Sequence, residues 1–168
     1  MTMLASEAET LVTGDFVEIF GESHYRISEY DTMPPFFITV VSSADHWLFV
    51  ATTGGLTAGR INANHALFPY YTVDRITENA GNTGSKTVVQ VHGDGKAQLW
   101  EPFADRVGTL YRIERALYKN VPGTSLIFEE VNVDLGLMFR YAWRTSDQYG
   151  IVKTAWLTNQ REQPVTVT

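Results

Sequence analysis

Between Gly136 and Thr145 the chain reads GLMFRYAWRT, and bulk alternates residue by residue. Leu137, Phe139, Tyr141 and Trp143 fall on one side, and Met138, Arg140, Ala142 and Arg144 on the other. Successive side chains of a strand point to opposite faces, so a period of two reads as a half-buried antiparallel strand. The same rule holds along most of the chain. Residues 124–133 (TSLIFEEVNV) form a second strand, with Asp134-Leu135-Gly136 as the turn between the two. Ile151 to Thr158 alternates again after it. Phe36 to Val41 and Trp47 to Thr52 make a pair around Ser42-Ser43-Ala44-Asp45, and Asp15 to Phe20 meets Tyr25 to Ser28 near Gly21-Glu22. Lys86 to His92 and Ala97 to Phe103 flank His92-Gly93-Asp94-Gly95-Lys96, whose Asp-Gly is a strong hairpin signal.

Helix is nearly absent from this pattern. Ser6 to Leu11 has the composition of a single helical turn. Residues 107–120 (VGTLYRIERALYKN) hold good helix formers, but Tyr111, Ile113, Arg115 and Leu117 alternate, so strand is expected. Thr53 to Gly84 shows no period and is expected to be a long ordered loop, its order coming from Leu56, Ile61, Leu67, Phe68, Tyr70 and Tyr71. No repeat or linker interrupts the chain. The expectation is one all-β domain over residues 1–168, an antiparallel β-sandwich.

The far end carries its own signal. Asn159 to Gln163 is a polar turn, and Pro164 to Thr168 opens a fresh strand with no following partner. An uncharged strand edge invites association, so the chain is expected to be the N-terminal piece of a longer protein.

Charge and residue types exclude several functions. The net charge of −6 argues against a nucleic-acid partner, which requires a basic field. With no cysteine, thiolate chemistry and Cys-ligated zinc are absent. His24, His46, His65 and His92 lie far apart in sequence without ligand spacing, so no metal template fits and loop or surface positions are expected. No segment reaches the roughly 20 apolar residues a membrane helix needs, and no secretory signal opens the chain. The default compartment is cytoplasmic.

Thr52 to Ile76 is the densest polar and aromatic stretch. Arg60, Asn62, Asn64, His65, Asp74 and Arg75 supply hydrogen-bonding groups beside Tyr70 and Tyr71. Amides and charges suit sugar hydroxyls, and aromatic faces suit sugar C–H surfaces. The same residues equally describe a loop whose polar groups satisfy one another. Glu129 and Glu130 are adjacent on a strand and so face opposite sides, which rules out a paired acid. Glu101 and Asp105 are the remaining candidate acids, expected as solvated or hydrogen-bonded groups. GNTGSKT (Gly81–Thr87) is not a phosphate loop, because Ser85 separates Gly84 from Lys86.

In order along the chain, GGLTAGR (Gly54–Arg60), ALFPYYTVDRI (Ala66–Ile76), GSKT (Gly84–Thr87), WEPF (Trp100–Phe103), LYKN (Leu117–Asn120), LIFEEVNVDLGLMFRYAW (Leu126–Trp143) and AWLTN (Ala155–Asn159) resemble the N-terminal region of large bacterial cellobiose-phosphorylase-like proteins. The end of the chain is similar to the sandwich domains of the wider disaccharide phosphorylase and cyclic β-glucan synthase group. The resemblance implies a galactose-mutarotase-like supersandwich, here incomplete, preceding an (α/α)6 barrel that carries catalysis. It implies no organic cofactor, a saccharide and the downstream catalytic domain as partners, and often a homodimer. Arg60, Asn62, Asn64, His65, Tyr70, Tyr71, Asp74 and Arg75 are then the positions expected nearest a saccharide or the barrel.

The leading expectation is therefore a non-catalytic sandwich domain that shapes a saccharide cleft. A stand-alone carbohydrate-binding module, stacking sugars on Trp47, Trp100, Tyr70 and Tyr71, is the alternative. A third reading is an interaction domain that pairs its Val165–Thr168 edge with another chain.

Overall fold

In the computed structural model, which describes residues 11–68, 72–93, 96–105 and 107–168, three antiparallel sheets share one hydrophobic core. Of Val73, Asp74, Lys96 and Val107 only the backbone is described. The largest sheet has six strands in the order β1 (Thr13–Ile19), β2 (Glu22–Ser28), β8 (Ile113–Asn120), β9 (Ser125–Asn132), β10 (Leu137–Ser146) and β11 (Gly150–Asn159). A second sheet joins β3 (Phe37–Val41), β4 (His46–Ala51) and β5 (Leu56–Arg60). The third orders β12 (Thr166–Val167), β6 (Val89–Gly93) and β7 (Lys96–Trp100). The protein is all-β, and both small sheets pack against one face of the large one.

The expected alternation sets that packing. Leu137, Phe139 and Tyr141 of β10 face the core with Leu126 and Phe128 of β9 and Leu117 of β8. Val40, Leu48, Val50 and Leu56 cover them from the second sheet, and Val89, Val91 and Trp100 from the third. Tyr141 stacks on Phe128 at 4.9 Å between ring centres. Phe103 meets both rings edge-on.

The opposite face is concave. Phe20, in the β1–β2 turn, lies 5.1 Å from the Trp156 ring on β11. In a flat sheet the two edge strands would stand ~24 Å apart, five spacings of ~4.8 Å. Contact between them requires the twist and coil of the sheet to bring its edges together. Ile19, Ala116, Tyr118, Ile127 and Ala142 form a second cluster inside that curl. Phe20 (φ 54°) and Gly21 (φ 76°) are both left-handed, the geometry of a two-residue type I′ turn.

Three expectations change. Part of the expected loop 53–84 is strand: Leu56–Arg60 pairs with β4 along its length. This strand is buried on both faces from Leu56 to Gly59, so no alternation marks it. Val73–Glu78 (α1) and Ala80–Thr83 (α2) are short helices within the same segment. The stretch 107–120 divides into a helical turn at Val107–Leu110 (α3) and strand β8. The terminal strand is paired: β12 runs antiparallel to β6, with Thr166 opposite His92 and Val167 opposite Val91. Its partner lies far back in the chain, where a search for a local hairpin does not look. The helical turn expected at Ser6–Leu11 and the Asp94-Gly95 turn lie outside the described residues.

Candidate functional site

One recess opens at the rim of the main core, and a buried carboxylate builds it. Glu130 points from β9 into the core side and is 0% exposed. It accepts from Trp100 Nε1 at 2.7 Å, from the Phe103 backbone N–H at 2.7 Å and from Arg115 Nε at 2.9 Å. Arg115 also reaches Asp31 at 3.1 Å and the Ala104 carbonyl at 3.2 Å. Burial pulls the Arg115 guanidinium down, but the Glu130 carboxylate beside it prevails and holds it above its usual value. These contacts pin the turn Glu101–Asp105 from beneath. Phe103 sits at φ 67°, a strained conformation for a non-glycine residue that the two flanking bonds enforce.

Above that turn lie two adjoining hollows of about 560 and 320 Å³. Both are lined by Thr53, Gly54, Phe103, Asp105 and Tyr141. The larger adds Ser85, Lys86 and Glu101, the smaller Tyr30, Asp31 and Arg115. Their size falls within the ~300–1,000 Å³ of small-molecule clefts. Beside the larger hollow the Lys153 amine contacts the Ser85 hydroxyl and lies 4.4 Å from the centre of the Tyr141 ring. Burial lowers the pKa of Lys153. Burial likewise pushes the Tyr30 and Tyr141 hydroxyls up, so both stay protonated at neutral pH. The recess thus combines ring surface with carboxylates, a hydroxyl and amines.

Of the sequence-predicted positions, Arg60, Asn62, Asn64, His65 and Arg75 line neither hollow. Asn62 caps a short 3-10 turn, Ala63–His65, its Oδ1 3.0 Å from Asn64 N and from His65 Nδ1. Arg60, Asn62, Asn64, His65 and Arg75 are exposed. Tyr70 and Tyr71 lie outside the described residues, as does the side chain of Asp74. Leu67 and Phe68 border a 220 Å³ hollow with His46, Trp143 and Tyr149.

Glu101 and Asp105 are brought to one recess, which sequence spacing alone did not establish. Glu129 and Glu130 do face opposite sides: Glu129 accepts from Tyr118 Oη at 2.8 Å and pairs with Arg140 on the concave face. Trp100 is fully buried, which removes it from any stacking platform. His24 is buried as well, contrary to the expected surface position, because β2 carries it onto the concave face. Among the described residues no three His, Asp or Glu side chains gather as a metal-ligand set, and no helix is long and apolar enough to cross a membrane. Sequence reasoning missed Glu130, yet a signal was present. A carboxylate in the apolar run LIFEEVNV, on the same face as Leu126 and Phe128, needs a cation, and Arg115 alternates onto the facing strand.

No family model matches the chain, and a search of curated proteins finds none similar to it.

Proposed function

We propose that the chain is a non-catalytic β-sandwich domain of a carbohydrate-active protein, of the galactose-mutarotase-like kind, and that the recess above Glu101–Asp105 is its saccharide contact. One observation carries the reading. Phe103, half-buried on a turn pinned from below and packed on the largely buried Tyr141, adjoins Asp31, Asp105, Ser85 and Lys86 from neighbouring segments. Sugars are recognised by that combination, with C–H faces on rings and hydroxyls on planar or charged groups. The buried carboxylates Glu129 and Glu130 are held in ion pairs with Arg140 and Arg115, a structural rather than an acid–base use. Catalysis is assigned to a partner domain of the (α/α)6-barrel type, against which this domain shapes the cleft.

Titration calorimetry with cellobiose, lactose and maltose tests the contact. Binding is expected, with Asp105→Asn weakening it about tenfold through the loss of one charged hydrogen bond. Absence of heat with every sugar, or an Asp105→Asn variant that binds like the parent, contradicts the assignment. Release of sugar phosphate from cellobiose and inorganic phosphate by this chain alone overturns the non-catalytic reading.

A further inference from the structure

The concave face of the large sheet, opposite the recess, carries an unusual set of polar atoms. His24 on β2 stands opposite Asn120 on β8, and Ser125 on β9 stands opposite Arg144 on β10. Asn120 Oδ1 accepts from the Ser125 N–H at 2.9 Å and so joins the two pairs into one row across four strands. His24 and Ser125 are 0% and 2% exposed. His24 Nδ1 is 2.9 Å from the Glu22 carbonyl and therefore carries its proton there. Yet His24 Nε2, Ser125 Oγ and both Nε and Nη2 of Arg144 are shielded from solvent and meet no hydrogen-bond partner among the described residues. Buried polar groups are almost always paired, and a shielded cation edge beside an unpaired hydroxyl is the sharpest exception here.

Two carboxylates on this face are engaged elsewhere. Glu129 is taken by Arg140 and Tyr118, and Asp15 by Arg26. Nε–H and Nη2–H run parallel along one edge of the guanidinium, the fork that two oxygens of a carboxylate or phosphate occupy. Ser125, directly across the ladder with Cβ atoms ~5 Å apart, adds a third donor to the same oxygens. Phe20 lies over the guanidinium, 5.5 Å from its ring centre to the Arg144 carbon. Phe20 is itself 56% exposed and rests on Trp156, so an anion reaches Arg144 by displacing Phe20 from that ring.

We propose that Arg144 and Ser125 form a binding site for a small oxyanion, a carboxylate or phosphate group, beneath Phe20. His24 stands at the other end of the row, where a larger ligand would meet it. The site shares no residue with the saccharide recess and does not depend on that assignment.

The test follows the Arg144 Nε–H resonance of the wild-type protein by NMR during addition of sodium phosphate or sodium acetate. Ionic strength is held constant with chloride. Saturable movement of that resonance is expected, together with a saturable rise in Tm as the bound anion stabilises the folded state. Arg144→Gln is expected to weaken the anion at least tenfold, and Ser125→Ala by less. A response to phosphate alone assigns a phosphate group, and a response to acetate alone assigns a carboxylate. No saturable movement with either anion overturns the site and leaves the row to bridging water. Should Arg144→Gln fail to fold, the wild-type titration still decides.

Discussion

Replacing Glu130 by Gln keeps the shape of the side chain and converts one carboxylate oxygen into an NH2 group. Every neighbour of that carboxylate is a donor: the Trp100 indole at 2.7 Å, the Phe103 N–H at 2.7 Å and Arg115 Nε at 2.9 Å. Whichever way the amide turns, an N–H faces an N–H in a fully buried position. Breaking a buried ion pair from one side costs ~3–5 kcal/mol. Arg115 keeps Asp31 at 3.1 Å and is 12% exposed, which places this case near the lower end, at about 3 kcal/mol. That is a large share of the ~5–15 kcal/mol that holds a domain folded. Urea denaturation followed by tryptophan fluorescence measures it. With a slope of ~2 kcal/mol/M, the midpoint falls by about 1.5 M at unchanged slope. Combining Glu130→Gln with Arg115→Met should cost less than the sum of the two single changes, because the pair acts as a unit. A Glu130→Gln variant within ~0.5 kcal/mol of the parent, or strict additivity, refutes the view that this carboxylate supports the recess.

Three other perturbations probe separate parts of the fold. Burial, and then the Glu129 carboxylate, push the Tyr118 hydroxyl up to about 12. Its contribution to stability is therefore complete below the ordinary tyrosine value of ~10 and lost as pH rises from there towards 12. Tyr118→Phe should flatten the alkaline fall in stability, measured by denaturation across that range, and an unchanged profile counts against the pairing. Glu29 sits at φ 52°, and burial followed by Asp31 raises its carboxyl above the usual range. The favourable effect of that shift is complete only below the unfolded value and is lost as pH rises through the folded one, leaving a penalty at neutral pH. Glu29→Gly relieves both the backbone strain and the charge, so a gain of ~1 kcal/mol is expected in thermal melts, and a lower Tm contradicts it. At Gly59 a Cβ would meet the Trp47 ring and come 2.7 Å from the His65 carbonyl. Gly59→Ala should cost ~1–3 kcal/mol by overpacking, and a neutral result contradicts the seating of the 62–65 turn on β5.

Strands that alternate were legible because one face met the core and the other did not. β10, with Leu137, Phe139 and Tyr141 inward, is the plainest case. β5 was not legible, since Leu56, Thr57, Ala58 and Gly59 are all buried and leave no period. Gly54-Gly55 just before it and Gly59 within it resemble loop chemistry, but Gly59 in fact serves close packing under Trp47. The pairing of β12 with β6 was hidden by distance along the chain. The polar stretch from Arg60 to Arg75 drew attention by composition, and its Asn62, Asn64 and His65 turn out to bond within one capped turn. The recess instead gathers Thr53, Ser85, Asp105 and Tyr141 from four separate segments. Only the pairing of the strands brings them together, and no local pattern encodes that.

The most direct test of the saccharide assignment is a backbone-amide NMR titration of the intact chain with cellobiose. Saturable shifts are expected at Gly54, Ser85 and Phe103 to Asp105, the residues that border the recess. No saturable shift, or shifts confined to the Asn62–His65 turn, would contradict the recess as the sugar contact.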